Sequence, residues 1–218
     1  MVEKNTYILA AMVTLIFILG GFAFNFLLSS MREQDLQSKL LDIKSSIAES
    51  DLEILYATQL TNTSCSILEK ARFSITENLA ETNRKLASYN EYNLNDVVFT
   101  RLKTDQTVQY VKTWLLTKKV NDICDTKINT VLFFFDVYSD DSKEQGYVLN
   151  TITLSENTTA FVVPLDFDFK LGIIKLLTSQ FNITSAPSIV INEKTAARGL
   201  ISRNDILKNF YNTTKNTD

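Results

Sequence analysis

One hydrophobic run limits this chain more than any other feature: Val131-Leu132-Phe133-Phe134-Phe135-Asp136-Val137-Tyr138. Its aromatic and β-branched content predicts a strand over Thr130–Tyr138. A short polar corner follows, Ser139-Asp140-Asp141-Ser142, and then a helix-like stretch opening Lys143-Glu144-Gln145-Gly146. About forty residues later Ala186-Pro187 leads directly into an apolar run, Ser188-Ile189-Val190-Ile191-Asn192. A chain that alternates in this way commits its last third to a small sheet with helices packed on it.

The remaining pattern fills in that sheet. Beyond Thr130–Tyr138, helices are expected over Lys143–Leu154, Leu171–Phe181 and Asn204–Tyr211, and strands over Thr159–Phe167, Ser188–Asn192 and Ala197–Leu200. Strands separated by helices of this length pair in parallel, whereas the close pair around Asn192–Ala196 implies an antiparallel hairpin. The expected order is β-α-β-α-β-β-α, over residues 129–212, followed by a polar tail at 213–218.

Residues 30–128 read as helical. Leu36, Leu40, Ile43, Ile47 and Ile54 form a heptad-like stripe, weakened by Ser50, that predicts a helix over 31–60. Leu68, Ala71, Ile75, Leu79 and Leu86 predict a second over 64–88. A third runs over 96–124, with Val108, Val111, Leu115 and Ile123 expected on or near one face. Pro and Gly are absent from residue 22 to 145, consistent with continuous helix. The stripes suit a helical hairpin plus a third helix packing within the chain; a dimeric stalk is the alternative. The whole is thus an α+β/α/β chain in which helices precede a small mixed domain.

Tyr7–Leu28 holds no formal charge over 22 residues. About 20 apolar residues suffice for a helix to cross the hydrocarbon core of a bilayer, so residues 1–29 are expected to form a transmembrane anchor. Lys4 precedes the span and Arg32, Lys39 and Lys44 follow it. That balance favours a cytoplasmic body, but a segment of this length translocates largely regardless of charge. The expected topology places the body on the extracytoplasmic side of a cell membrane. Acceptor triplets for glycosylation begin at Asn62, Asn157, Asn182 and Asn212. With 18 Asn and 41 Ser plus Thr in 218 residues, about three or four triplets arise by chance, so they permit that location without arguing for it.

Composition removes several chemistries. There is no histidine, which takes away the usual zinc ligands and the base of a serine triad. A net charge of −3, with no basic stripe, gives no nucleic-acid surface. With five glycines and no phosphate-cradling loop, no small-molecule cofactor is expected. The two cysteines, Cys65 and Cys124, lie 59 residues apart and lack dithiol spacing. Placed at helix ends, they suit a structural disulfide in an oxidising compartment, or alternatively two buried thiols.

The corner and the later X-Pro together resemble the thioredoxin-like superfamily, in particular small membrane-anchored thioredoxin- or glutaredoxin-like proteins. The matching text is Ser139-Asp140-Asp141-Ser142-Lys143-Glu144-Gln145-Gly146 and Pro187-Ser188-Ile189-Val190-Ile191-Asn192. The resemblance covers residues 129–212 only. It implies a minimal thioredoxin domain whose redox Cys-x-x-Cys would fall on Ser139 and Ser142. It also implies a cis proline at Pro187, and an Ala186 backbone that pairs with an extended substrate peptide. A hydroxyl forms no disulfide and is a poor nucleophile without a base, so the corner should be redox-dead. Asp140 and Asp141 read either as electrostatic contacts or as solvated carboxylates of a helix N-terminus.

Three functions follow as expectations. The first is a membrane-anchored, redox-inactive module that binds a peptide or scaffolds a protein partner. The second is a member of a thiol-disulfide oxidoreductase lineage with its cysteines replaced. The third is a structural helical stalk.

Overall fold

The computed structural model describes residues 12–26, 45, 48–49, 51–52, 55–56, 64–90, 96–155 and 159–214. The chain divides into two units, residues 1–49 and 50–218. In the first, every described position from 12 to 26 is helical (α1) and exposed. Among the described residues no helix is long and apolar enough to cross a membrane. Positions 7–11 and 27–28 of the expected span lie outside them, as do most of the 31–60 helix and the acceptor residues Asn62 and Asn157. The described positions between 45 and 56 are helical.

In the second unit, α2 (Cys65–Asn90) and α3 (Asp96–Cys124) form the two arms of a helical hairpin. Four of the five stripe positions read from α2 are buried, Leu68, Ala71, Ile75 and Leu79, while Leu86 is only half-buried, and the first three pack on Leu116 and Val120 of α3. The face expected for α3 needs correction. Val111 is buried, but Leu115 and Ile123 are about half exposed. The reason is that α3 is buried on two sides. Leu116 and Val120 meet α2, while Val111 and Trp114 meet the sheet, and a helix with two buried stripes shows no single apolar face. Several positions inside are threonine. Thr107, Thr113 and Thr117 each donate a hydroxyl hydrogen bond to the carbonyl four residues back, at 2.7–2.8 Å, so their methyl faces pack without an orphaned polar atom.

Cys65, at the start of α2, and Cys124, at the end of α3, are joined by a disulfide with a Cα–Cα separation of 5.3 Å, within the usual range. It closes the open end of the hairpin.

The mixed domain follows as β1 (Asn129–Phe135), α4 (Asp140–Thr153), β2 (Ala160–Asp166), α5 (Gly172–Gln180), β3 (Ser188–Ile191), β4 (Thr195–Arg198) and α6 (Arg203–Thr214). Sheet order is β2-β1-β3-β4, with β1 parallel to β2 and antiparallel to β3, and β3 antiparallel to β4. Alternation along β1 builds two cores. Leu132 and Phe134 pack with Val163, Leu165 and Val190 under α3 and α5, whereas Val131 and Phe133 pack with Ile189 and Ile191 under α4 and α6.

Several boundaries moved, α6 running on to Thr214 among them, and at three places a local reason is visible. β1 stops at Phe135 rather than Tyr138, because the Asp136 carboxylate accepts the Tyr138 N–H at 2.8 Å and turns the chain. α4 starts at Asp140, three residues early, because Ser139 caps it. β4 lies at 195–198 instead of 197–200. The β3–β4 turn is tight, with Asn192 and Glu193 both left-handed (φ 48° and 59°) and the Lys194 N–H bonded to the Ile191 carbonyl at 3.0 Å. Asn tolerates that conformation; Glu193 is held there by an ion pair with Lys118 of α3.

Closing a loop of 59 residues with a disulfide removes about 4 kcal/mol of chain entropy from the unfolded state. Reducing the bond, or making the Cys65→Ser/Cys124→Ser variant, should therefore lower the unfolding free energy by about 2–4 kcal/mol. Denaturant melts with and without reductant measure this; identical midpoints would show that the cysteines are not bridged.

Candidate functional site

The end of β1 delivers the chain into the corner. Ser139 is the N-cap of α4: its backbone is extended (φ −85°, ψ 127°) and its hydroxyl accepts the Ser142 N–H at 3.3 Å. Its carbonyl accepts the Lys143 N–H at 3.2 Å, the first turn of the helix. Ser142 lies one turn in and is 2% exposed. Its hydroxyl oxygen accepts the Asp136 N–H at 3.0 Å, tying the first turn of α4 back to the end of β1. Both serine oxygens are thus occupied by backbone donors.

Charge at the corner is arranged as a helix N-terminus prefers. Asp140 and Asp141 sit in the first turn. Lys143 donates to Asp140 at 2.8 Å, and this hydrogen bond, then the Lys143 charge, holds the Asp140 carboxyl below the usual carboxylate range. The same bond raises Lys143. Both groups are fully solvated, so the pair is a surface i,i+3 contact.

The register places the proline at the same end of the sheet. Ser188 of β3 is opposite Phe134 of β1, so Pro187 comes level with Phe135 just before the corner begins. The Ala186-Pro187 bond is cis. Pro187 is buried, and its carbonyl accepts the Gly199 N–H at 2.8 Å. Ser188 is fully buried and its hydroxyl donates to the Ser185 carbonyl at 2.6 Å. Ala186 is half-buried, and among the described residues no hydrogen bond uses its N–H or C=O. Ser139, Ser142, Ala186 and Pro187, picked out separately in the sequence, thus share one end of the sheet.

Two residues at this end escaped the sequence reading. Val137 is half exposed and Tyr138 91% exposed, directly before the capping serine. They had been absorbed into the strand, as the tail of an apolar run. The available signal was Asp136, a turn-forming residue inside that run.

The other candidate positions lie elsewhere. Cys65 and Cys124 are in the hairpin, apart from the corner in sequence and in element. Asn182 follows α5 in a left-handed conformation and its carbonyl accepts from Arg198 at 2.9 Å. Asn212 is in the last turn of α6. Among the described residues no group of three metal-ligating side chains occurs.

A second concavity lies along β2. A cleft of about 460 Å³ is lined by α2, α4 and β2, with Phe133 of β1 and Tyr110 of α3, whose ring centroid is 6.3 Å from that of Phe161 and tilted 36° to it.

No family model and no curated protein matches this sequence. Among solved structures, the chain is similar to a malarial protein, with a TM-score of 0.32 and 20% identity over 39% of this chain and 96% of that one. It is also similar to chloroplastic thioredoxin z, with a TM-score of 0.33 and 18% identity over 44% of this chain and 87% of that one. The likeness to thioredoxin z is distant, and the mixed four-stranded sheet described above is compatible with a thioredoxin-like fold.

Proposed function

We propose that this chain is a redox-inactive thioredoxin-like module that binds an extended peptide segment at the sheet end formed by Ala186, Pro187 and the Ser139–Ser142 corner. The observation that carries the reading is the pairing state of the backbone and hydroxyl groups there. The two serine oxygens are spent on backbone N–H groups, so neither is poised for chemistry. Next to them the Ala186 peptide groups are unpaired among the described residues, and Tyr138 offers an exposed ring. An extended peptide satisfies such backbone groups directly, and needs no thiol to do so.

The module is held at a membrane by residues 7–28, with the body on the extracytoplasmic side. This rests on the uncharged run and on the described helical positions 12–26, whose Phe17, Phe22 and Phe26 side chains are all more than three-quarters exposed. A helix apolar on every side is stable only in lipid or inside a protein. The disulfide agrees with an oxidising compartment. The apolar contacts between α2 and α3 support packing within the chain over a stalk built from those helices.

Disulfide exchange by the full chain, read as insulin reduction, should not rise above a protein-free control; measurable turnover would refute the redox-dead reading. Ser142→Ala strips the acceptor from the Asp136 N–H and should cost about 1–3 kcal/mol in denaturant unfolding, and Ser139→Ala about 1 kcal/mol as a lost cap. For binding, a permanently unfolded, carboxymethylated polypeptide is the probe. It should slow amide exchange at Ala186, and Tyr138→Ala should weaken its binding severalfold. Unchanged exchange at Ala186 under saturating probe would reject the site.

A further inference from the structure

The cleft along β2 points to a second recognition site, separate from the corner at Ala186. β2 ends the sheet order β2-β1-β3-β4, so among the described residues one of its long sides has no neighbouring strand. The ladder shows which residues face that side. Asn129 N–H donates to the Thr159 carbonyl at 3.0 Å and Phe167 N–H to the Phe135 carbonyl at 2.8 Å, so odd-numbered residues of β2 turn their backbone groups toward β1. Ala160, Val162 and Pro164 therefore turn theirs outward. Pro164, which has no N–H, sits where a proline can enter a sheet without breaking a ladder bond. Among the described residues nothing bonds these outward groups.

Two helices, not a strand, stand beside this edge. Leu79 and Ala80 of α2 form one wall, Gly146 and Leu149 of α4 the other, and Ala160 and Val162 the floor. No lining side chain carries a charge. At one end, Gln106 donates to Asn83 at 2.7 Å and Asn83 donates to the Tyr110 hydroxyl at 2.7 Å. That relay ends on a hydroxyl whose own proton has no acceptor among the described residues. Burial raises the Tyr110 pKa, so it stays a donor.

We propose that this cleft takes a short, uncharged, extended segment of a partner polypeptide, laid against β2 as a fifth strand. The argument is complementarity of partial charge. The floor presents the N–H groups of Ala160 and Val162 alternating with the carbonyls of Ala160, Val162 and Pro164, and an extended backbone returns that pattern with opposite sign. A helix has no free backbone groups to offer. A second copy of this chain is disfavoured, because a whole sheet with its helices is bulkier than a single strand and would meet the α2 and α4 residues that line the cleft. The missing N–H of Pro164 also limits pairing to the Ala160–Val162 end, which suits a short segment.

The test uses the full chain and a displayed library of random octapeptides, with two variants. Val162→Pro deletes an outward donor that takes no part in the β1 ladder. Gly146→Leu fills the cleft, since a Cβ there meets only the Phe133 ring, at 3.8 Å. Selected peptides should carry alternating uncharged apolar residues and slow amide exchange at Ala160 and Val162. They should bind Val162→Pro roughly tenfold more weakly, the loss expected for one backbone hydrogen bond, bind Gly146→Leu at least as weakly because the cleft is filled, and bind Tyr138→Ala unchanged. If Val162→Pro does not fold, as judged by circular dichroism, Gly146→Leu decides. Three results would overturn the proposal: no enrichment over the variants, protection of Ala186 in place of Val162, or a dimer abolished by Val162→Pro.

Discussion

The structure turns on β1 being buried on both faces. Five of its seven residues are buried, and among the described strands it alone pairs with two neighbours of opposite polarity, β2 in parallel and β3 antiparallel. Its side chains go alternately to the α3/α5 core and the α4/α6 core, so both layers depend on one register. A slip of one residue would exchange the two faces and break both cores. The corner, the proline and the open edge all inherit their positions from that register. The C-terminal end of β1 sets where the corner begins, the pairing with β3 brings Pro187 level with it, and the pairing with β2 fixes which backbone groups of the edge face outward.

At the corner, the hydroxyls of Ser139 and Ser142 decide what the helix N-terminus does. A helix start stabilises an anion there, and a thiol uses that field to become a thiolate. Here the field is answered by Asp140 and Asp141, and the hydroxyls by backbone donors. A hydroxyl is the better acceptor at 3.0 Å, so Ser142 fits as a joint between strand and helix. The corner serves as a structural cap of α4.

How much of this was legible depends on where the information resided. The element order and the α2 stripe were readable because each is local: periodicity and turn residues within a few positions decide them. The hairpin helices fell within two residues of expectation for the same reason. The face of α3 was not readable, since Leu115 and Leu116 are equally apolar and only the two partners of α3 decide which is buried. The early end of β1 turned on one carboxylate outcompeting strand propensity. Of the site, the corner and the proline could be named, but their shared sheet end is a property of the register. The cleft along β2 left no trace in the sequence at all, because it is made by the spacing of α2 and α4.

The two sheet edges show why that cleft is more than unfilled space. An exposed edge invites uncontrolled pairing, and chains protect it by shortening, charging or covering it. β4 follows the first two routes: it is four residues long, alternates half-buried with exposed positions, and ends in Arg198, which is tied to the Asn182 carbonyl. β2 follows neither, being seven residues long with Asp166, its one charged residue, already paired with Lys103. Its protection is Pro164 and the α2 and α4 residues that line the cleft beside it. Sheet-to-sheet aggregation is thereby obstructed while the Ala160–Val162 dipoles remain open. An edge guarded in this way keeps its outward backbone groups while large surfaces are held off by the helices beside it.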